Sequence, residues 1–407
     1  MSLRPATAAS KADVVLPPPT ERYPLLGWVW KHLFTPWHNA LLTMLALGLL
    51  YVLAVPFAQW ALTQARWEVV VVNLRLLLIG QYPLEQAWRL WLSVHVLAFA
   101  VGLTIGSVVR AGLWRAVPIL AAPWALALVA DFDLATRAHL GALPVVGLVA
   151  FVLGRLGHVY VRRHVIGLWV IYFPLFILLV RGLTAEEGWL PVVPTNVWGG
   201  LVLTFVLTVA GIIFSFPIGV LLALGRRSNL PLVRWASVVY IELVRGVPLV
   251  TILFMAQIML PLFLPSNVTI DRVLRAVVGI VLFTAAYQAE NVRGGLQAIS
   301  RGQYEAAYAL GLNSLQTNLF IILPQALRNV IPVLVGQFIA LYKDTSLVAI
   351  VGLLDLLGIA KSVLAQPAYI GTQREVYLFI SAIYWLFSYV MSYLSQRLEK
   401  ALGVGER

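Results

Sequence analysis

The chain has 407 residues, of which 61% are hydrophobic and 11% charged, with a net charge of +12 and no cysteine. Soluble domains carry about 25% charged residues, so this balance excludes an ordinary water-soluble domain. Without cysteine there is neither a disulfide frame nor a thiolate metal site.

Mean hydropathy is +0.88, and runs of about twenty apolar residues recur, enough to cross roughly 30 Å of hydrocarbon as helix. A barrel would show alternating segments of about ten residues instead, and the sequence has none. The expected fold is therefore an all-α polytopic membrane protein. Residues 1–37 are polar and rich in proline, including Pro17–Pro19. They are expected to form a cytoplasmic segment, disordered at first and then an interfacial helix near Trp28 and Trp30, rather than a cleaved leader.

Ten spans are expected, at about 39–60, 87–109, 114–130, 143–160, 165–181, 198–224, 246–264, 273–293, 329–350 and 376–396. With both termini in the cytoplasm, most Lys and Arg fall on the inner side, among them Arg226, Arg227, Arg245, Arg293 and Arg397. That is the sign the positive-inside rule demands. The basic excess thus sets orientation and touches lipid head groups, and no nucleic-acid partner is expected. The organisation implied is a membrane extension over residues 38–195 and a core over 196–407.

The extension carries no chemical motif. Between its first two spans, Trp67–Trp91 is apolar in the middle but too short to cross. It is expected to lie on the outer surface, anchored by Trp67, Tyr82, Trp88 and Trp91. His95 lies within a span and is expected to be packed and hydrogen-bonded.

The core begins with Val197–Ser228, a span with Pro217 inside it and Gly225-Arg226-Arg227 at its inner end. In VVYIELVRGVPLVTILFMAQ (Val238–Gln257), Glu242 and Arg245 are three residues apart and can pair on one helix face. Gly246 and Pro248 break that helix just before the next span. Gln257 is placed to face a pathway. In FTAAYQAENVRGG (Phe283–Gly295), Thr284, Tyr287, Gln288 and Asn291 share one helix face, with Glu290 beside them. A carboxylate there must be paired, protonated or facing water. It could bind a substrate ammonium, or be neutralised by Arg293 one turn away.

Residues 293–331 form a polar, glycine-punctuated island between two spans. A short helix, Gln303 to Leu310, is expected to stop at Gly311, where a left-handed cap costs little. A second, Ser314 to Leu323, is expected to stop at Pro324. The following span is broken by Lys343, Asp344, Thr345 and Ser346, expected to mark an outer gate or a subunit interface.

The island resembles the EAA loop of ABC importer permeases, through Glu305-Ala306-Ala307, Gly311 and Leu323-Pro324. Val238–Gln257 resembles polar amino-acid permeases, in Tyr240, Glu242, Arg245-Gly246-Val247-Pro248 and Gln257. NLRLLLIGQYPLEQAWRLW resembles the M-type permease subunit of general L-amino-acid importers. The resemblance implies a type I importer core of about five helices after an extension of about five, in a bacterial plasma membrane. It implies that Glu305–Leu310 couples to a dimer of ATP-binding subunits, which hold the ATP and magnesium. It further implies a shorter Q-type permease as second subunit, a binding protein that delivers polar, basic or broad-range L-amino acids, and a substrate role for the helix of Glu290.

This chain has no GxxxxGK[ST] stretch to cradle phosphates and no HExxH spacing. It is read as a non-enzymatic permease driven by alternating access. A secondary transporter would need matched inverted repeats, which the two halves do not show. A membrane enzyme would need convergent titratable groups in several spans, and only Glu290 offers one.

Overall fold

Inside hydrocarbon every backbone N–H and C=O must find a partner within the chain, so apolar runs of this length fold as helices. The computed structural model describes residues 25–108, 123–124, 127, 132–184, 188–265 and 267–402, and these form helices with three isolated β-bridges. Among them, seven helices are long and apolar enough to cross a membrane, or nine if each of two bent pairs is one span. The expected span at 114–130 lies almost wholly outside the described residues, as do residues 1–24.

Contacts divide the chain into two units, Met1–Ala65 and Arg66–Arg407. The first contains the short helical turns Leu25–Val29 and Trp30–Phe34, with Trp28 and Trp30 exposed, and then α1 (Trp37–Gln59).

The second unit begins with short helices at Glu68–Val72 and Leu74–Ile79. Then come α2 (Ala87–Val108), α3 (Leu134–Leu156) and α4 (His158–Arg181). α3 starts nine residues earlier than expected, because the Asp133 side chain caps Thr136 N and Pro144 sits inside the helix instead of opening it. Gly102 and Gly106 let α2 approach α3 closely. A Cβ on Gly102 would stand 2.3 Å from Gly147 O, the small-residue packing typical of membrane helices. His95 binds Trp91 O through Nδ1 at 2.7 Å, as expected of a packed histidine, and also lies 5.4 Å from the ring of His139.

The core comprises α5 (Gly200–Arg226), α6 (Pro231–Arg245) and α7 (Leu249–Phe254), which continues to Phe263 through a π-helical stretch. After them come α8 (Arg272–Gln297), α9 (Arg301–Ala309), α10 (Leu323–Asp344), α11 (Leu356–Leu364) and α12 (Gln373–Leu402). α6 meets the span beginning with α7 at 101°, at the Gly246-Val247-Pro248 break. α5 and α8 pack face to face. Leu203, Leu207, Ala276 and Ile280 are buried there with Leu253 and Leu341, and a Cβ on Gly219 would stand 2.8 Å from Gln288 Cβ.

Trp67–Trp91 keeps one side exposed, with Val71, Val72 and Leu84 among the exposed residues, but its other side is built into the protein and is not anchored in lipid head groups alone. Val69, Val70 and Leu77 are buried against Leu356, Ile359, Ala360 and Val363 of α11 and Val376 and Ile380 of α12. The Tyr82 hydroxyl donates to Val180 O at 2.8 Å, and Arg66 N donates to Glu375 Oε1 at 2.9 Å. Of the four expected anchors Trp88 alone is classed as exposed, at 46%; Tyr82 is fully buried, and Trp91 stacks on His139 at 4.7 Å. An apolar segment too short to span can hide its side chains in lipid head groups or in protein, and here α11 and α12 offer the protein. Gly80 sits at φ +63°, and a Cβ there would stand 2.5 Å from Gly199 Cα.

Asp355 is fully buried and caps α11, accepting from Gly358 N at 2.9 Å and Leu357 N at 3.3 Å. The Tyr384 hydroxyl donates to it at 3.3 Å. Burial pushes the Asp355 carboxyl up to about 7, against the pull of those hydrogen bonds and of Lys361.

Two outcomes follow. Gly80→Ala must strain the backbone and separate two chains in contact, so it lowers stability by about 3 kcal/mol in thermal unfolding of the detergent-solubilised protein; an unchanged melting temperature contradicts the close approach. For Asp355, the folded value exceeds the unfolded value near 4, so the folded state loses stability as pH rises from about 4 to about 7. Asp355→Asn keeps a capping side chain but cannot ionise. Its advantage in Tm over the parent grows across that window, whereas a constant difference means the carboxyl titrates normally.

Candidate functional site

The polar island builds a projecting knob. α9 ends in a paired cap: Gly311 N bonds Tyr308 O at 2.9 Å and Leu312 N bonds Ala307 O at 3.2 Å. This pattern needs a left-handed residue between helix and exit, and Gly311 supplies φ +80° with nothing within 4 Å of an added Cβ. Asn313 and Gln316 then form a reciprocal capping box. Of the coupling residues, Ala307 is buried, whereas Glu305, Ala306 and Gly311 are exposed, as are Tyr308 and Leu310. The knob is tied down by few contacts. Tyr304 lies under the Arg227 guanidinium at 5.8 Å, and Gln325 Nε2 donates to Gln303 Oε1 at 3.0 Å.

Pro324 does not end the second helix. Ser314–Gln316 runs through a π-helical stretch, Thr317–Ile322, directly into α10, with Pro324 in the first turn of α10. The π-helical stretch just before it shifts the hydrogen-bond register where a proline ring would otherwise clash with the carbonyl one turn earlier. Leu323 and Pro324 therefore lie within one helical run, Ser314–Asp344, that leads from the knob into a membrane span.

Where α5, α6 and α8 come together, Glu290 collects three guanidiniums. Arg226 Nη1 donates to Oε1 at 2.8 Å, Arg293 Nη2 to Oε2 at 2.8 Å, and Arg245 Nη1 lies 3.7 Å from Oε2. Arg226 also reaches Glu242 at 2.8 Å, so Glu242 pairs across to α5 and not with Arg245 on its own helix. Arg245 instead lies over the Tyr287 ring at 5.5 Å. Glu290 is 14% exposed. Three positive charges against two negative ones leave the cluster with an excess of positive charge. Arg226 stands 64 residues from Glu290 and could not be paired with it by helical spacing; a basic residue ending the preceding span was the available sign.

The other residues expected on the pathway separate. Thr284 and Gln288 are buried, Gln288 donating to Ser215 Oγ on α5 at 2.9 Å. Tyr287 and Asn291 are half-buried. Gln257 donates from Nε2 to Arg272 O, at the end of α8 away from the knob. Lys343 and Asp344 finish α10, and Thr345 and Ser346 start a 3-10 turn to Val351 that closes on Gly352 at φ +78°. Arg272 Nη2 holds Gly352 O at 3.0 Å.

Removing one charge from a partly buried cluster strands the others, so Glu290→Gln costs about 3 kcal/mol. Combined with Arg226→Gln, the double variant departs from additivity by about 1 kcal/mol or more in thermal unfolding. Additive losses within about 0.5 kcal/mol show that the two side chains do not interact.

Residues 215–404 match the family described as binding-protein-dependent transport system inner membrane component. The inner membrane amino-acid ABC transporter permease protein YhdY of Escherichia coli K12 is 39% identical over 396 residues, 93% of each chain. The glutamate/glutamine/aspartate/asparagine transport system permease protein BztC of Rhodobacter capsulatus is 36% identical over 427 residues, 95% of each chain. Among solved structures, the crystal structure of an amino acid ABC transporter with histidines is 30% identical. It covers 50% of this chain and 92% of its own, with a TM-score of 0.45. The chain belongs to the permeases of amino-acid ABC transporters: an all-α, multi-pass inner-membrane subunit that works with a separate ATPase and a binding protein.

Proposed function

We propose that this subunit passes L-amino acids of polar or broad range, delivered by a binding protein, through a pathway shared with a second, shorter Q-type permease. α9 is the coupling helix. It engages an ATP-binding dimer, where ATP and magnesium reside, and both termini of this chain are cytoplasmic. The observation that carries this reading is the knob itself: a capped, exposed helix joined by the Gly311–Asn313 turn to a helical run that begins at Ser314 and passes through Pro324 into a spanning helix. Movement of such a helix by ATP-driven closure is transmitted to α10 as a rigid element, and packed spans switch between discrete arrangements. Residues 38–195 form the extension and 196–407 the importer core. Lys343, Asp344, Thr345 and Ser346 mark the gate or subunit interface at the outer side.

Tyr287 and Asn291 are the half-buried members of the pathway set. For Glu290, the guanidiniums of Arg226, Arg245 and Arg293 favour the ion-pair reading over an ammonium site. Kinetics separate the two: an ammonium ligand changed to Gln raises KM for uptake, whereas a structural ion pair changed to Gln lowers Tm and leaves KM where it was.

Gly311→Trp forces a bulky residue into left-handed backbone. In proteoliposomes with the ATPase, the second permease and the binding protein, it should abolish substrate-stimulated ATP hydrolysis while the subunit still inserts and assembles. Normal stimulation in this variant would remove α9 from the coupling path.

A further inference from the structure

α6 lies across the protein at the level of the Glu290 cluster. It meets the span that begins with α7 at 101°, so where that span crosses the membrane α6 runs close to the membrane plane. Its last turn supplies Glu242 and Arg245, which reach Arg226 and Glu290. The Tyr240 hydroxyl donates to Leu282 O on α8 at 2.7 Å.

At about 100° per residue the side chains of α6 fall into three rows. Ser237 and Ile241 are buried, Ser237 against Gly225 of α5 and Ile241 among Ala223, Ala289 and Val292. Leu232, Ala236, Val239 and Leu243 lie within about 60° of one another. Leu232 is 76% exposed and Leu243 65%. Arg234 and Arg245, both exposed, stand about 160° from that apolar row. Trp235, also exposed, stands at its edge. Among the described residues the Arg234 side chain makes no hydrogen bond or ion pair. The cluster beside it already sets three guanidiniums against two carboxylates, so no acid there is left over for it.

A protein partner could cover the leucines or pair with the arginine. A row of leucines opposite a row of arginines, on a helix in the membrane plane, asks for hydrocarbon on one side and negative charge on the other. A leaflet containing anionic lipid offers both at once, and its boundary is where tryptophan is favoured. We propose that α6 is a membrane-surface helix that docks on anionic phospholipid on the knob side, with Leu232 and Leu243 among the acyl chains and Arg234 on the phosphates. The inference does not depend on which substrate the permease carries.

The chain has no cysteine, so each introduced cysteine is a unique label. Bimane is attached to Leu232→Cys or Leu243→Cys in the assembled transporter, purified from membranes. The nanodiscs hold phosphatidylcholine and phosphatidylglycerol in equal parts, one of the two carrying a doxyl quencher on its acyl chain. Both labels should be quenched, and the Leu232→Cys label more by doxyl-phosphatidylglycerol than by doxyl-phosphatidylcholine. Adding Arg234→Gln should lower that preference about fivefold, the worth of one basic residue at an anionic surface. Arg234→Lys should keep it, and the melting temperature should be unchanged in both. Three results overturn the proposal. Labels that neither lipid quenches put this face against the ATPase or another permease. Equal quenching by the two lipids leaves hydrocarbon contact without selection by charge. A preference that survives Arg234→Gln takes that arginine out of the contact.

Discussion

The Glu290 carboxylate ties the ends of α5 and α6 to α8 on the side of the protein that carries the knob. One acidic side chain on α8 is held by Arg226 from the end of α5, by Arg293 on its own helix and, more distantly, by Arg245 from the end of α6. Charges this close to hydrocarbon persist only when paired or wet, so the cluster fixes where those helices end relative to one another. Beside it the apolar faces of α5 and α8 meet closely, with Gly219 lying on Gln288. The polar loop that follows α8 then leaves the membrane from a defined point.

What leaves from that point is a short, capped and largely exposed helix. α9 is stiffened at its exit by the paired cap at Gly311 and at the next entry by the Asn313–Gln316 box, yet it is moored mainly through Tyr304 and Ala307. Stiff ends with a light mooring make a part that shifts as a body. The helical run from Ser314 through α10 reaches from the knob to the opposite end of α10, where it tightens into the 3-10 turn that Arg272 closes.

The sequence made the island legible because polar residues and glycines stand out in an apolar chain, and the Gly311 turn appeared where left-handed backbone was required. The spans were legible for the same reason: length and hydropathy dictate them within the described residues. What escaped was long-range or ambiguous. Arg226 could not be matched to Glu290 from local spacing, and Arg245 stood as a possible partner of Glu242 because only same-helix partners can be counted in a sequence. Pro324 looked like a stop, because no pattern announces the π-helical stretch that leads into it. Val69, Val70 and Leu77 fit lipid or protein equally well; only the neighbouring α11 and α12 decide. Asp355 is hidden for a similar reason, as a capping acid and a free one look alike in one dimension.

The way Arg66–Tyr82 enters the rest of the molecule bears on modularity. The extension and the importer core can be cut apart on paper near residue 195. Physically the cut is not clean. Excising the first half would bare Leu356, Ile359, Val363 and Val376 and leave Glu375 without the Arg66 amide. A minimal permease carved from this protein would therefore need new polar side chains on α11 and α12, much as a subunit parted from an obligate partner does.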